Sequence, residues 1–442
     1  MSESMRVLFC LLVIISLACE PESEHVDDGA LPNIVLIVSD DHHWGDYGFM
    51  GHTGVRTPHL DRLAAESMVY TRGYTPASVC RPSLATMVTG LYPHQHGITG
   101  NDPPGGRKAR AGMEAIFARA ETVLERLHAS GFASFQSGKW WEGDPMRHGF
   151  TRAMTHGNVT EGGRHGDDGL AIGREGLQPL FDFVAEAQGK PFLVYYAPFL
   201  PHTPHNPPDS ILAKYMIADR PIEIAKYYAM IEWLDSTVGD LLNYLDRAGL
   251  RENTLVMYVA DNGWRQFVGE QRMADMRAKM SPYDAGMRTP IMLRWPGKIT
   301  PGRDEATLVS TIDLTPTMLR AVGVKPAAGL PGLNLRSWEA LAKRQMVLGE
   351  LFAHTAVDIT DPAANLKYRY VVRQDGWKLI LPYTPNRDVP LMINGAVADW
   401  MRFEPELYNV FQDPHETNDV ASEHPRLVDT LHAAIDAWWP VR

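Results

Sequence analysis

Residues 33–41 read Asn33-Ile34-Val35-Leu36-Ile37-Val38-Ser39-Asp40-Asp41. The apolar run shows no polar alternation, so both faces of the segment favour burial. That pattern marks an interior strand of a parallel sheet rather than a half-wetted antiparallel one. The run ends on two adjacent carboxylates. In open α/β sheets ligands bind beyond the carboxyl ends of the strands, so Asp40 and Asp41 stand where chemistry is expected.

Working outward, Thr57-Pro58 opens a helix whose Leu60, Leu63 and Ala64 share a face, with proline at the first helical position. Residues 123–129 form another helix, closed by Gly131, and residues 132–137 a strand. Strands are expected at 192–196, 254–260 and 290–294, with a long helix at 223–247. This alternation predicts an α/β fold, a largely parallel sheet sandwiched by helices. From about Gly349 the pattern changes. Residues 368–373 and 377–381 read as strands joined through Gln374-Asp375-Gly376, and Asp-Gly is a strong hairpin signal. Residues 425–439 then form a helix with Leu427, Leu431, Ile435 and Trp438 on one side. We therefore expect a main domain at 31–345 and a smaller C-terminal antiparallel α+β domain at 346–442.

Residues 1–30 form a leader and linker. Arg6 precedes a mainly apolar run, Val7 to Ala18. It is shorter than the roughly 20 residues that span a bilayer but fits the core of a secretory signal. Ser16-Leu17-Ala18 is a small-x-small cleavage site, and the Cys19 that follows resembles a bacterial lipoprotein box. The expectation is an exported bacterial protein, periplasmic or anchored by a lipid on Cys19, with no other membrane contact. Lys and Arg total 42 against 53 Asp and Glu, a formal charge of −11, with no long basic run, so no nucleic-acid partner is expected. Two of the three cysteines lie in the leader. Cys80 is left without an internal disulfide partner.

The strands carry polar groups toward one rim. The first runs into Asp40-Asp41, the second into Gly138-Lys139, the third toward His202 and the fourth into Asp261-Asn262. Any one of these reads as a cap or a turn; four together read as a site. Asp40, Asp41, Asp261 and Asn262 offer only oxygen, which suits one hard divalent cation of flexible coordination, calcium before magnesium. Zinc favours nitrogen and sulfur, and His42 and His43 keep that option in view.

The segment Cys80-Arg81-Pro82-Ser83-Leu84-Ala85-Thr86-Met87-Val88-Thr89-Gly90 reads as a short helix, opened at Pro82-Ser83 and ended by Gly90. A cysteine at a helix N-terminus meets free N–H groups and the positive end of the dipole, which favour anions. This segment resembles the sulfatase signature, Cys-x-Pro-Ser-Arg followed six residues later by Gly. The likeness extends along the chain: Trp44-Gly45-Asp46-Tyr47-Gly48 after the first strand, Thr57 to Ala64, Gly138-Lys139-Trp140 and Pro201-His202-Thr203-Pro204-His205. It continues through Ala260-Asp261-Asn262-Gly263, Lys279 with Tyr283 to Pro290, and Glu406 to Asn409 with Asp413 to Glu416.

What the resemblance implies is specific. Cys80 would be oxidised to formylglycine by a formylglycine-generating or sulfatase-maturating enzyme. Its hydrated aldehyde would attack the sulfur of a sulfated carbohydrate or related sulfate ester, and its second hydroxyl would then expel sulfate. Asp40, Asp41, Asp261, Asn262 and residue 80 would hold the calcium, Lys139 and Lys279 would neutralise sulfate oxygens, and His202 would protonate the leaving alcohol. His205 and Trp141 would contact substrate. Leu84 stands where the signature has arginine, and Trp141 where many members have histidine. Arg81 is the candidate for the missing cation; His42, His43, His148 or His156 are candidates for the missing imidazole. Against the overall negative charge, Lys139, Lys279, Arg81 and Arg288 would make the pocket positive. A phosphoesterase or phosphonate hydrolase of the same superfamily, or a pseudo-sulfatase that binds sulfated glycans without cleaving them, are the competing readings. Trp140, Trp141 and Trp264 read as core aromatics or as sugar-stacking platforms.

Overall fold

The computed structural model describes residues 30–157, 168–187, 189–268, 277–386 and 401–441, together with 388, 392–393 and 396–397. The expected leader lies outside these residues except for Ala30. Leu31–Arg442 forms one compact unit. No helix among the described residues is long and apolar enough to cross a membrane.

The first strand, β1 (Asn33–Ser39), lies in the middle of a nine-stranded sheet. The other strands are β2 (Met68–Tyr74), β3 (Ala133–Gly138), β4 (Arg152–Ala153), β5 (Phe192–Ala197), β6 (Thr254–Ala260), β7 (Arg288–Arg294), β8 (Gly302–Asp304) and β9 (Val309–Ser310). Their order is β4-β3-β5-β1-β6-β7-β2-β8, with β9 also on β2. β1 is parallel to β5 and β6, and β3 to β4 and β5; only β7 runs against its neighbours β6 and β2 among the described strands. The reason β1 is apolar throughout is now visible. Ile34, Leu36 and Val38 enter one core with Leu193, Tyr195, Leu255 and Met257. Val35 and Ile37 enter the opposite core with Val194, Tyr196, Val256 and Tyr258. Helices cover both faces, the long helix Ile222–Arg247 on the second.

Two local readings change. Thr57 does not cap the helix α1 (Pro58–Ala65) with its side chain; its hydroxyl donates to Asp61 at 2.9 Å. The free N–H groups of His59 and Leu60 instead donate to Asp235, on the long helix, at 3.0 and 2.7 Å. A remote carboxylate satisfies the orphan donors and the dipole together. β2 was not legible, because Thr71, Arg72 and Gly73 interrupt its apolar pattern and a register shift follows Tyr70.

The C-terminal sheet is antiparallel throughout, with β10 (Met346–Phe352), β11 (Leu366–Arg373), β12 (Trp377–Pro382) and, beyond a two-residue pair β13–β14 (392–393 and 396–397), β15 (Glu406–Asn409) in the order β10-β11-β12-β15. The turn at Gly376 (φ 89°) uses the left-handed region glycine adopts without strain. One face packs Leu431 and Ile435 of the terminal helix Pro425–Trp438. The other packs Tyr370, Val372 and Ile380 against Val79, Met280 and Tyr283. Val79 precedes Cys80 and Met280 follows Lys279, so this core braces two segments that carry expected site residues.

Candidate active site

The carboxyl ends of β1, β3, β5 and β6 face one rim, and the sequence delivers a polar group from each. β7 runs the opposite way, so its amino end reaches that same rim, which is how Lys279 arrives there. The helix α2 (Cys80–Thr89) enters from the carboxyl end of β2. It begins at Cys80 itself, with extended Val79 before it and Gly90 (φ 70°) closing it. Ser83 does not cap this helix. Its hydroxyl donates to the backbone carbonyl of Asp261 at 2.5 Å, tying the helix start to the end of β6.

These placements put one ligand atom each of Asp40, Asp41, Cys80 and His202 within 4.8 Å of one another. Lys139 Nζ donates to both oxygens of Asp40, at 2.9 and 2.6 Å, and lies 3.9 Å from Asp261 Oδ2. Its approach depends on Gly138 (φ 82°), where a Cβ would stand 1.8 Å from the carbonyl oxygen of Ala197. Lys279 Nζ donates to Asp41 Oδ1 at 2.5 Å and to Cys80 Sγ at 3.0 Å. The following residue, Met280, donates its N–H to Ser78, two residues before Cys80, at 2.8 Å from its hydroxyl. Asp41 holds a left-handed backbone (φ 59°), costing of order 1–2 kcal/mol for a residue with a Cβ. Its N–H donates to Asp261 Oδ1 at 3.0 Å, which helps hold that conformation.

The donor set fits a hard cation. Asn262 uses its amide nitrogen on Asp41 Oδ1 at 2.8 Å and leaves its carbonyl oxygen inward. Three buried oxygens, Asp41 Oδ2, Asp261 Oδ2 and Asn262 Oδ1, accept no hydrogen bond. Native proteins rarely leave such atoms unsatisfied, and oxygen donors from two neighbouring strand ends suit calcium.

Burial alone would raise the Asp41 carboxyl, but Lys279, His202 and Lys139 outweigh it and hold it well below the usual range. Asp261 moves far the other way: burial, then Asp40 and the Cys80 sulfur, disfavour its charge, and Lys139 offsets only part. Burial opposes the charge on Lys139 and Lys279, yet the surrounding carboxylates raise both. Burial lowers His202 despite Asp41 and Asp40, and lowers His205 to about 4.

His202 has its Nδ1 2.5 Å from the carbonyl oxygen of Thr203, its ring stacked on Phe199, and Nε2 3.4 Å from Asp41 Oδ2. A carbonyl only accepts, so Nδ1 carries hydrogen and Nε2 is the position that gains or loses a proton. His205 lies outside the four-atom cluster, its ring beside Tyr227 and Trp264 at 5.5 and 6.2 Å.

Several expected residues are placed elsewhere. Arg81 is wholly buried, and its guanidinium forms a bidentate pair with Glu142 at 2.8 and 2.6 Å. That charge is neutralised, so Arg81 does not take the place of the signature arginine. Arg288 donates to the carbonyl of Thr71 and lies under the Trp44 ring at 4.0 Å, holding an aromatic rather than facing the pocket. Leu84 and Trp141 are buried in one apolar core, so two positions polar in the signature pattern are filled with hydrocarbon here. Trp141 is 3 % exposed, which corrects its reading as a substrate contact: no stacking face is open to a sugar. Its ring meets Lys139 Nζ at 5.9 Å. Trp140 packs among Phe117, His148, Phe150 and Tyr195 as a core aromatic. His42 is committed to Ser39 and Asp46, and His148 to the carbonyl of Glu142. Glu142, Ser78 and Ser83 were missed; the acid three residues after Lys139 was a signal only once its partner was known.

The family description Sulfatase matches residues 32–324, and that of the N-sulphoglucosamine sulphohydrolase C-terminal region matches residues 269–437. The chain belongs to the sulfatase family. N-acetylgalactosamine-6-sulfatase of Canis lupus familiaris is 29% identical to this sulfatase-family chain over 69% of it, and the match spans 65% of the dog protein, just under two thirds of its length. N-acetylgalactosamine-6-O-sulfatase of Bacteroides thetaiotaomicron is 24% identical, with 92% of this chain and 93% of the relative covered. The crystal structure of Ps i-CgsB superposes with a TM-score of 0.72 at 23% identity, covering 92% and 93% of the two chains.

Proposed function

We propose that this chain is a sulfuric ester hydrolase that removes sulfate from a sulfated carbohydrate, using a formylglycine formed from Cys80 and one calcium ion. The observation that carries the reading is the meeting of Cys80 Sγ with Asp40, Asp41 and His202 within 4.8 Å, at a helix N-terminus, beside the three unsatisfied oxygens. Two relatives are named for N-acetylgalactosamine sulfate esters, and Ps i-CgsB has been solved with k-i-k-neocarrahexaose, which supports a sugar substrate.

Charge supports sulfate over phosphate. With a divalent ion bound and Asp40, Asp41 and Asp261 all ionised against Lys139 and Lys279, the site would carry one net positive charge, matched to a sulfate monoester rather than a phosphate dianion. When present, formylglycine supplies the attacking hydroxyl and calcium polarises a sulfate oxygen. Asp41, Asp261 and Asn262 offer the unsatisfied oxygens and Asp40 the further carboxylate that would hold the ion. Lys279, already 3.0 Å from Sγ, sits to neutralise charge on the sulfate oxygens nearest residue 80. Lys139 holds Asp40 in place and adds the second cation. His202 presents Nε2, the position that takes up a proton when the ring charges beside Asp41 and that would pass it to the leaving alcohol. The maturating enzyme that oxidises Cys80 and an exported location follow from this reading as parts of the proposal.

Turnover of nitrophenyl sulfate against nitrophenyl phosphate, with calcium and with a chelator, tests it. Calcium-dependent hydrolysis of the sulfate ester is expected to exceed that of the phosphate. Preference for the phosphate, or no sulfate turnover by chain converted at Cys80, overturns it.

A further inference from the structure

A cleft of about 620 Å³ opens beside the site, lined by Tyr227, Trp264, Tyr283, Arg277 and His415 among others. It adjoins the candidate active site at three places: Lys279 Nζ lies 5.9 Å from the Trp264 ring, His205 sits between Trp264 and Tyr227, and the Tyr227 hydroxyl meets the N–H of His43. The walls are held in place. The indole N–H of Trp264 donates to Gln266, and His415 stacks on Trp44, whose ring also meets Arg288.

Arg277 stands apart from the two carboxylates that line this cleft. Asp46 faces His43 and His52, and Glu416 is bonded to Lys378. Arg277 donates through Nη1 to the backbone carbonyl of Glu416 at 2.7 Å and lies 4.7 Å over the Tyr283 ring, but pairs with no carboxylate among the described residues. Nearby Glu406 is taken by the hydroxyls of Tyr283 and Tyr408. Two chain steps separate Arg277 from Lys279, so their backbones lie at most about 7 Å apart. A guanidinium that makes no ion pair among the described residues, with Glu406 and Glu416 near enough only to favour its charge, thus lies by aromatic walls and close in sequence to Lys279.

The geometry points to a second anion-reading position: Arg277 receives a sulfate or carboxylate group on the sugar unit next to the ester that is cleaved. The preferred substrate is therefore an oligosaccharide with two or more anionic groups, its ring laid against Trp264. This rests on the sulfatase reading above for the class of ligand, while its test reads binding as well as turnover. Guanidinium presents paired donors to sulfate or carboxylate, and an unpaired one in a partly dry cleft gains most from such a group.

The experiment measures, by calorimetry, binding of a disaccharide carrying one sulfate and of the same disaccharide carrying a second sulfate or a uronate, to wild type, Arg277→Gln and Trp264→Ala. Thermal unfolding confirms that each variant is folded. Arg277→Gln is expected to weaken the dianionic ligand about tenfold to a hundredfold while moving the monoanionic one less than about twofold. Trp264→Ala is expected to weaken both. Equal loss for both ligands on Arg277→Gln, or no loss for either, overturns the inference. If converted wild type binds the dianion through Arg277 yet hydrolyses no sulfate ester, the functional reading fails and this one stands.

Discussion

One ammonium, Lys279 Nζ, touches both Cys80 Sγ at 3.0 Å and Asp41 Oδ1 at 2.5 Å, joining the proposed nucleophile position to a proposed metal ligand. An ammonium there stabilises charge that grows on sulfate oxygens during attack. Lys279→Ala is expected to lower kcat by about a hundredfold to a thousandfold, the usual cost of losing one preorganised donor. Lys279→Arg should recover part of it. Steady-state kinetics on nitrophenyl sulfate checks both, and an unchanged kcat counts against the assignment.

His202 should matter in proportion to how badly the leaving group needs a proton. His202→Gln is expected to slow hydrolysis of a sugar sulfate by about a hundredfold to ten-thousandfold. Nitrophenolate leaves without protonation, so nitrophenyl sulfate should suffer far less. Equal losses on both substrates would mean that His202 positions Asp41 rather than donating a proton.

Metal removal and pH are linked through Asp261. Its folded pKa is raised, so the folded state holds that proton more tightly than the unfolded chain. The sign follows: stability falls as pH rises above the ordinary carboxylate value of about 3.9 toward the raised value. Asp41 contributes the opposite way, but its stabilisation is complete above the ordinary value and is lost only in acid. The unfolding midpoint gained on adding calcium to chelated protein should therefore grow from pH 5 to neutral. In Asp261→Asn most of that growth should vanish. A calcium increment independent of pH would contradict the placement of the ion against Asp261.

Arg81 and Glu142 form a wholly buried ion pair behind the start of α2. Arg81→Met should destabilise the fold by about 3–5 kcal/mol, because it strands a buried carboxylate. The double variant Arg81→Met with Glu142→Met should recover much of the loss. Denaturant unfolding reads both. If Arg81→Met instead abolished sulfate binding at unchanged stability, Arg81 would be facing substrate after all.

Much of this was legible because the chemistry sits in short runs at strand ends. Asp40-Asp41 and Asp261-Asn262 announce themselves at the ends of unbroken apolar strands, and β1 and β6 are adjacent and parallel, so the two pairs had to meet. Lys139 follows a strand in the same way, whereas Cys80 stood out by its place at a helix start and by the signature it resembles. What stayed hidden needed a partner from elsewhere. Arg81 looked like a spare cation until Glu142, sixty-one positions away, was seen to neutralise it. Trp141 looked like a sugar platform, but local sequence does not say that it is buried in the same apolar core as Leu84. Arg277 carried no motif and gained meaning only from the cleft it lines with Trp264 and Tyr283.

The most direct test is the mass of the peptide spanning residue 80, taken from a preparation that hydrolyses a sulfate ester. A peptide lighter than the thiol form by the change from cysteine to formylglycine is expected, in proportion to specific activity. Full activity with residue 80 still an intact thiol would contradict it.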